Sequence, residues 1–437
     1  MTTLQGRPAS TSAPKHTGLW SRLGPGIITG ASDDDPSGIA TYSQAGAAYG
    51  YSLLWTMPLT LPLMSAVQEI SARIGRITGR GLAGNLRRHY PKWLLYPVVF
   101  LLVMANVINL GADIGAMGDA VRLLIGGPAL IYSGAFALLC IALEVFASYP
   151  RCCKVLKWLT PVLFSYFIVV FLVHVPWKTA MKGLLLPQLQ RSGDYWATVI
   201  AVFGTTISPY LFFWQSSQET EELRADPDAE PLNYAPEQAA AQFRRIRVDT
   251  YVGMTASNVA ALFMMIAAAA TLNASGITDV ETSTQAAQAL RPLGALAFFL
   301  FAMGIVGTGL LAVPVLAGSA AYAVGEALQW PTGLDRKPLH AKGFYAVITV
   351  ATLMGLAFNF PLVQRTTHLT PIKALFWSAV INGVTAVPIM VLMMLMSSNP
   401  RVMGKFASGS KLLRTVGWLA TAAMAAASVG MFLTWKS

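Results

Sequence analysis

Residues 30–38 read Gly30-Ala31-Ser32-Asp33-Asp34-Asp35-Pro36-Ser37-Gly38, which puts three adjacent carboxylates inside the first apolar run of the chain, 24–48. A charge at the centre of a bilayer costs about 3 kcal/mol even on the lenient scales. Acids kept at such a depth face the protein interior or a wet cavity, where they mark an ion or substrate path. Pro36 and Gly38 follow at once. The spacing therefore predicts a helix broken at this point, with backbone carbonyls freed beside the carboxylates.

The rest of the chain sets the environment of that stretch. Of its 437 residues 54% are hydrophobic and 12% charged, and mean hydropathy is +0.53. A soluble domain carries about twice that charge fraction, and apolar runs of about 20 residues recur from end to end, so the chain reads as an all-α polytopic membrane protein. Residues 1–17 are polar and lack the apolar core of a signal peptide. Eleven spans are expected, at about 24–48, 53–71, 94–117, 130–147, 155–175, 195–218, 251–272, 293–315, 344–360, 372–396 and 416–433. The net charge of +11 lies mostly in alternate loops: Arg73 to Lys92, Arg151 to Lys157, Arg224 to Arg247, Arg336 to Lys342 and Arg401 to Arg414. That pattern predicts a cytoplasmic N-terminus and an external C-terminus, and it argues for membrane topology against a nucleic-acid partner. Cys140, Cys152 and Cys153 lack metal-type spacing and read as structural.

A second interruption lies in the sixth span, where Gly204-Thr205-Thr206-Ile207-Ser208-Pro209 breaks an apolar helix near its middle. The first and sixth spans open two sets of five, and both break just before a proline. Matching interruptions in two halves point to a transporter built from inverted repeats with its site at the midplane. In the third span Asn106, Asn109 and Asp113 share one face. Asp113 has two open roles, hydrogen bonding to a broken helix end or relay of a proton or ion. Asn382 in the tenth span is either an oxygen ligand or an interhelical hydrogen bonder. Glu69 and Glu144 sit near helix ends, where pairing with Arg73 or Arg151 accounts for them. Glu219, Glu221 and Glu222 read as a solvated helix end, and Met393, Met394 and Met396 as lipid-facing or packing residues.

With these residues in view, the sequence resembles the NRAMP-type divalent metal transporters. Gly24-Pro25-Gly26 opens helix 1, and Asp35-Pro36-Ser37-Gly38 occupies the place of the family's Asp-Pro-Gly-Asn. Ser71-Ala72-Arg73 with Gly75, then Thr78-Gly79, ends helix 2 as in the family. Gly204-Thr205-Thr206-Ile207-Ser208-Pro209-Tyr210 stands where the family has Gly-Ala-Thr-Val-Met-Pro-His, and Met403-Gly404-Lys405-Phe406 resembles its Met-Gly-Glu/Lys-Phe. The resemblance covers nearly the whole chain. It implies a LeuT-type 5+5 inverted repeat with an eleventh helix, helices 1 and 6 being discontinuous. The first repeat would cover about 24–175 and the second about 195–396. The extra helix would lie at about 416–433 of a single domain, 24–435, behind an N-terminal tail, 1–23.

The departures from the family pattern are chemical. The family's ion is held by the Asp and Asn of helix 1, an Ala carbonyl and a Met thioether. Here those positions are Asp35, Gly38, Thr205 and Ser208. Asp33 and Asp34 add negative charge the pattern lacks. Thioether selects softer metals, whereas carboxylate, hydroxyl and carbonyl oxygens suit Mg²⁺ and Mn²⁺, and a roomy site suits an ion that keeps its waters, as Mg²⁺ does. This resembles the NRAMP-related magnesium transporter branch. The family's helix 6 His is Tyr210 and its helix 3 acids are Asn106 and Ala116, leaving Asp113, so weak or absent proton coupling is expected, although three crowded aspartates can share a proton.

The expectation is therefore a secondary transporter that moves a divalent cation, Mg²⁺ or Mn²⁺, into the cytoplasm by alternating access. It would sit in a bacterial inner membrane, with no cofactor, no nucleic acid and no obligate protein partner. Asp35 would be the central ligand, with Asp34, Asp33, Gly38, Thr205 and Ser208 around it and Asp113, Asn106, Tyr210 and Asn382 as relay or supporting groups. The rival readings are a proton-coupled Mn²⁺/Fe²⁺ importer, an amino-acid or organic-cation transporter of the same fold, and a metal sensor. No intramembrane catalytic cluster supports an enzyme.

Overall fold

The structure is a computed structural model that describes residues 25–146, 164–363 and 370–434. Among the described residues there is no strand, and helix occupies each of the eleven expected segments. Helix α1 is broken into α1a (Pro25–Asp33) and α1b (Pro36–Tyr49). It is followed by α2 (Thr56–Thr78), α3 (Lys92–Ile125), α4 (Ala129–Phe146) and α5, described over Phe164–Leu172. Helix α6 is likewise broken into α6a (Gly193–Thr206) and α6b (Pro209–Ala225). Then come α7 (Ala239–Thr271), α8 (Leu296–Leu328), α9 (Lys342–Ala357), α10 (Pro371–Ser397) and α11 (Lys411–Thr434). Cys152 and Cys153, with Arg151, lie outside the described residues.

Seven helical stretches among the described residues are long and apolar enough to cross a bilayer. The others fall short for local reasons: α1 is broken, α2 carries Gln68, Glu69 and Arg73, α5 is described in part, and α9 is 16 residues long. Burial ranks the helices by depth. In the apolar stretch of α6, 94% of residues are buried, against 22% in α4, so α6 is central and α4 faces lipid with Ile131, Leu138 and Leu139 exposed. The packing repeats between the halves: α1a and α1b lie on α7 as α6b lies on α2, and α3 lies on α4 as α8 lies on α9.

The loops separate onto two faces. Arg87 donates to the Ala327 carbonyl, Leu232 N to the Arg76 carbonyl at 3.2 Å, and Asn233 Nδ2 to the Val402 carbonyl at 3.2 Å. The basic connections after α2, α6b, α8 and α10 thus touch one another. On the opposite face Gln44 brackets the 278–280 backbone, donating to the Thr278 carbonyl at 3.2 Å and accepting from Val280 N at 2.8 Å. Lys373 pairs there with Asp279 and Glu281.

Several expectations change. Glu219 and Glu221 are buried, not solvated. Glu219 pairs with Arg245 at the start of α7, and the end of α8 with the chain beyond it covers Glu221, which accepts from Tyr322 and from Leu334 N. Of the two readings of Met393, Met394 and Met396, lipid-facing or packing, burial selects packing in the interior. Helix α7 begins twelve residues earlier than its apolar run, because Ala239 to Asp249 continue it as a polar extension beyond the bilayer-length stretch.

Close approach of α1a to α7 depends on glycine. A Cβ at Gly30 would lie 2.6 Å from Gly253 Cα, and the N–H of Gly26 donates to Asp249 Oδ2 at 2.6 Å. Overpacking of this kind costs about 3 kcal/mol. Gly30→Leu is expected to lower the melting temperature of the detergent-purified protein. Gly134→Leu in α4, where nothing lies within 4 Å of an added Cβ, is expected to leave it unchanged.

Candidate functional site

The site forms where the two broken helices meet. At the first break Asp35 is the N-cap of α1b, with Pro36 at the first helical position. A carboxylate there accepts orphan amide protons and sits at the positive end of the helix dipole. Asp35 Oδ1 accepts from Ser37 Oγ at 2.5 Å and Gly38 N at 2.9 Å. Its Oδ2 accepts from Asn109 Nδ2 at 3.0 Å and from the Tyr210 hydroxyl at 3.3 Å. One buried carboxylate therefore ties α1b, α3 and α6b together. Asn109 is itself oriented by Ser378 of α10, whose hydroxyl donates to Asn109 Oδ1 at 2.6 Å.

Asp33 and Asp34 turn the other way, toward α7. The Ser257 hydroxyl reaches Asp33 Oδ2 at 2.6 Å and Asp34 Oδ1 at 3.1 Å. It has one proton to give to two carboxylates, and Asp33 Oδ1 has no hydrogen-bond partner among the described residues. All three aspartates are buried. No three Asp, Glu, His or Cys side chains converge on one point among the described residues, so a cation here needs hydroxyl, carbonyl or water oxygens as well.

The second break supplies them. The Ser208 hydroxyl shares its one proton between the Gly204 carbonyl at 2.7 Å and the Thr205 carbonyl at 2.9 Å, two of the orphan carbonyls at the end of α6a, and keeps its lone pairs for accepting. Thr205 Oγ1 lies 3.3 Å from where a Cβ at Gly38 would be, so the two breaks meet at Gly38 and Thr205. Both α1a and α6a end here, and helix C-termini carry partial negative charge that favours a cation. Tyr210 crosses the break as well, donating to the Ser32 carbonyl at 3.1 Å.

The remaining candidates are more distant in role. Asn106 faces α8, donating to the Leu316 carbonyl at 2.9 Å and Ser319 Oγ at 2.7 Å. The hydrogen bond from α3 to the broken helix comes from Asn109, and neither oxygen of buried Asp113 has a hydrogen-bond partner among the described residues. The buried amide of Asn382 is likewise without one; the next residue, Gly383, packs against Gly204 of α6a. Sequence reading did not select Ser257 or the contact of Asn109 with Asp35. The polar stripe of α3 contained the signal for Asn109, whereas a serine in an apolar helix gives none for Ser257.

Two broken helices facing each other inside an all-α inverted repeat define the class as a membrane transporter of the LeuT-type fold. The family model described as "Nramp: Natural resistance-associated macrophage protein-like" matches residues 26–434. The chain belongs to that family. It is 27% identical over 410 residues to the divalent metal cation transporter MntH of Klebsiella pneumoniae (strain 342), covering 92% of this chain and 91% of that protein. It is 29% identical over 319 residues to MntH of Aeromonas hydrophila, covering 70% and 73%. Among solved structures, the Eremococcus coleocola manganese transporter in complex with an aromatic bis-isothiourea compound superimposes with a TM-score of 0.77 at 16% identity, over 97% of this chain and 88% of that one. MHP1, a nucleobase-cation-symport-1 family transporter, does so with a TM-score of 0.59 at 13% identity, over 95% and 92%. These likenesses carry the fold.

Proposed function

We propose that the protein is a secondary transporter that carries a hard divalent cation, Mg²⁺ or Mn²⁺, inward by alternating access with weak or no proton coupling. The observation that carries this reading is the donor set at the two breaks. Residues 30–38 and 204–210 offer carboxylate, hydroxyl and carbonyl oxygens and contain no sulfur or imidazole, a set suited to hard ions. Asp35 is the central ligand. Gly38, Thr205 and Ser208 contribute backbone or hydroxyl oxygens, and Asp33 and Asp34 act directly or through water. The name of the MntH relatives supports divalent metal as the cargo. The basic loops support a cytoplasmic position for their face, and the proposal puts the N-terminus inside and the C-terminus outside a bacterial inner membrane. The transporter domain is 24–435, with repeats at about 24–175 and 195–396.

A competition panel of Mg²⁺, Mn²⁺, Ca²⁺, Fe²⁺ and Cd²⁺ on the purified protein tests the selectivity. Mg²⁺ or Mn²⁺ is expected to lead. Ser208→Met, which introduces a thioether at the second break, is expected to shift preference toward Cd²⁺ by about tenfold. A wild-type site that already prefers Cd²⁺ and Fe²⁺ would reject the hard-ion reading.

A further inference from the structure

Beyond transport, one cleft on the basic-loop face has unused chemistry. It lies between the end of α2, the short helix Leu82–His89 and the end of α8. Its volume is about 510 Å³, and Arg80, Arg87, Arg88, Arg224, Glu326 and Trp330 line it. We propose that this cleft binds a phosphate group, presented either by an anionic lipid headgroup at the membrane face or by a soluble phosphate, free or esterified.

The guanidinium groups are not closed into ion pairs, although Arg224 lies within electrostatic reach of Glu326 and Glu221. Elsewhere on the same face Arg73, Arg245 and Arg247 are paired with Glu69, Glu219 and Glu222. Among the described residues none of the four cleft arginines forms an ion pair. Glu326, the lining carboxylate, takes its hydrogen bonds from neutral donors, Gly84 N at 2.9 Å and Ser217 Oγ at 3.0 Å, and offsets part of the charge of Arg224 alone among the four. Arg87 donates to the Ala327 carbonyl and to Gln329 Oε1 at 3.2 Å, and Arg224 Nη1 donates to the Thr332 carbonyl at 3.1 Å. Neutral acceptors orient these forks without cancelling their charge. His89 beside the cleft responds to that charge: burial first, then Arg88, Arg80 and Arg401, push its imidazole below the usual range. Glycine keeps the wall open, since a Cβ at Gly81 would lie 2.6 Å from Glu326 Cδ.

Topology alone asks for bases in these loops, but not that four of them converge unpaired on one cavity. A guanidinium fork matches phosphate oxygens bidentately, and the volume falls within the range of ligand pockets.

The test uses the full-length purified protein in metal-free buffer with EDTA, and reads equilibrium binding and thermal shift. One arm titrates phosphatidylglycerol against phosphatidylcholine of the same acyl chains. The other titrates pyrophosphate and ATP. The comparison variant is Arg80→Gln with Arg88→Gln, two exposed side chains that make no side-chain hydrogen bond among the described residues. At least one arm is expected to bind the wild type and to lose about tenfold or more in apparent affinity in the variant, with Arg80→Lys/Arg88→Lys intermediate. Saturation by phosphatidylglycerol alone assigns a lipid headgroup, by ATP a soluble phosphate ester, and by pyrophosphate a free soluble phosphate. Absence of binding in both arms, or equal binding by wild type and variant, overturns the proposal. No transport is measured, so this outcome is independent of the proposed cargo.

Discussion

Asp35→Ala is expected to abolish uptake into proteoliposomes loaded with a Mg²⁺- or Mn²⁺-sensitive dye, down to the level of protein-free vesicles. The side chain accepts four hydrogen bonds, two from the first turn of α1b and one each from Asn109 and Tyr210. Four acceptor positions are about what a carboxylate has, so a cation entering the site displaces or shares them, and the energy to do so comes from the full charge. Losing the cap alone costs about 1 kcal/mol, which the buried packing of α1b tolerates. Asp35→Asn separates charge from shape. It keeps most of the hydrogen-bonding outline and is expected to lower uptake by about a hundredfold, the equivalent of a charged interaction of about 3 kcal/mol. Unchanged uptake in both variants, with the protein folded, would remove Asp35 from the site.

The breaks were legible because their signal is loud. Adjacent carboxylates followed by proline, inside an apolar run, violate the preferences of a membrane helix so strongly that one sequence suffices to place them. The second break was legible by its matching position at Ser208-Pro209. What surrounds the breaks was not. Ser257 is an ordinary residue on α7, and its meeting with Asp33 and Asp34 exists only because Gly30 and Gly253 let α1a approach so closely. Asp249 lies in the polar extension of α7 and accepts from the amide of Gly26, 223 positions away. Glu219 and Glu221 fail for a related reason. Their polarity suggests water, and pairing of Glu219 with Arg245 of α7 and of Glu221 with Tyr322 of α8 supplies the solvation instead. Periodicity reports the face of a single helix, and these contacts are properties of pairs of helices.

Accumulation of the cation should need the membrane potential and no proton gradient. A divalent ion gains about 4.6 kcal/mol per 100 mV of inside-negative potential, from about 2.3 per charge. At about 1.4 kcal/mol per decade this supports a gradient of roughly 2,000-fold. Vesicles held at such a potential by a potassium gradient and valinomycin, with pH equal on both sides, are expected to concentrate the ion while an internal pH dye stays flat. The residues at the site support this expectation. Tyr210 is bound through its hydroxyl to Ser32 and Asp35, and an unperturbed tyrosine ionises near pH 10, far from a working relay. Asn106 cannot titrate and is engaged with α8. Asp113 is the intramembrane acid on α3 that retains a proton-carrying group, and both its oxygens lack a hydrogen-bond partner among the described residues. A robust acidification that follows the metal would refute uncoupled transport. If Asp113→Asn then removed the acidification and left metal uptake intact, the coupling would belong to α3. If only the aspartates of the break removed it, the shared proton would lie among Asp33, Asp34 and Asp35, and release of that proton would be the event that admits the ion.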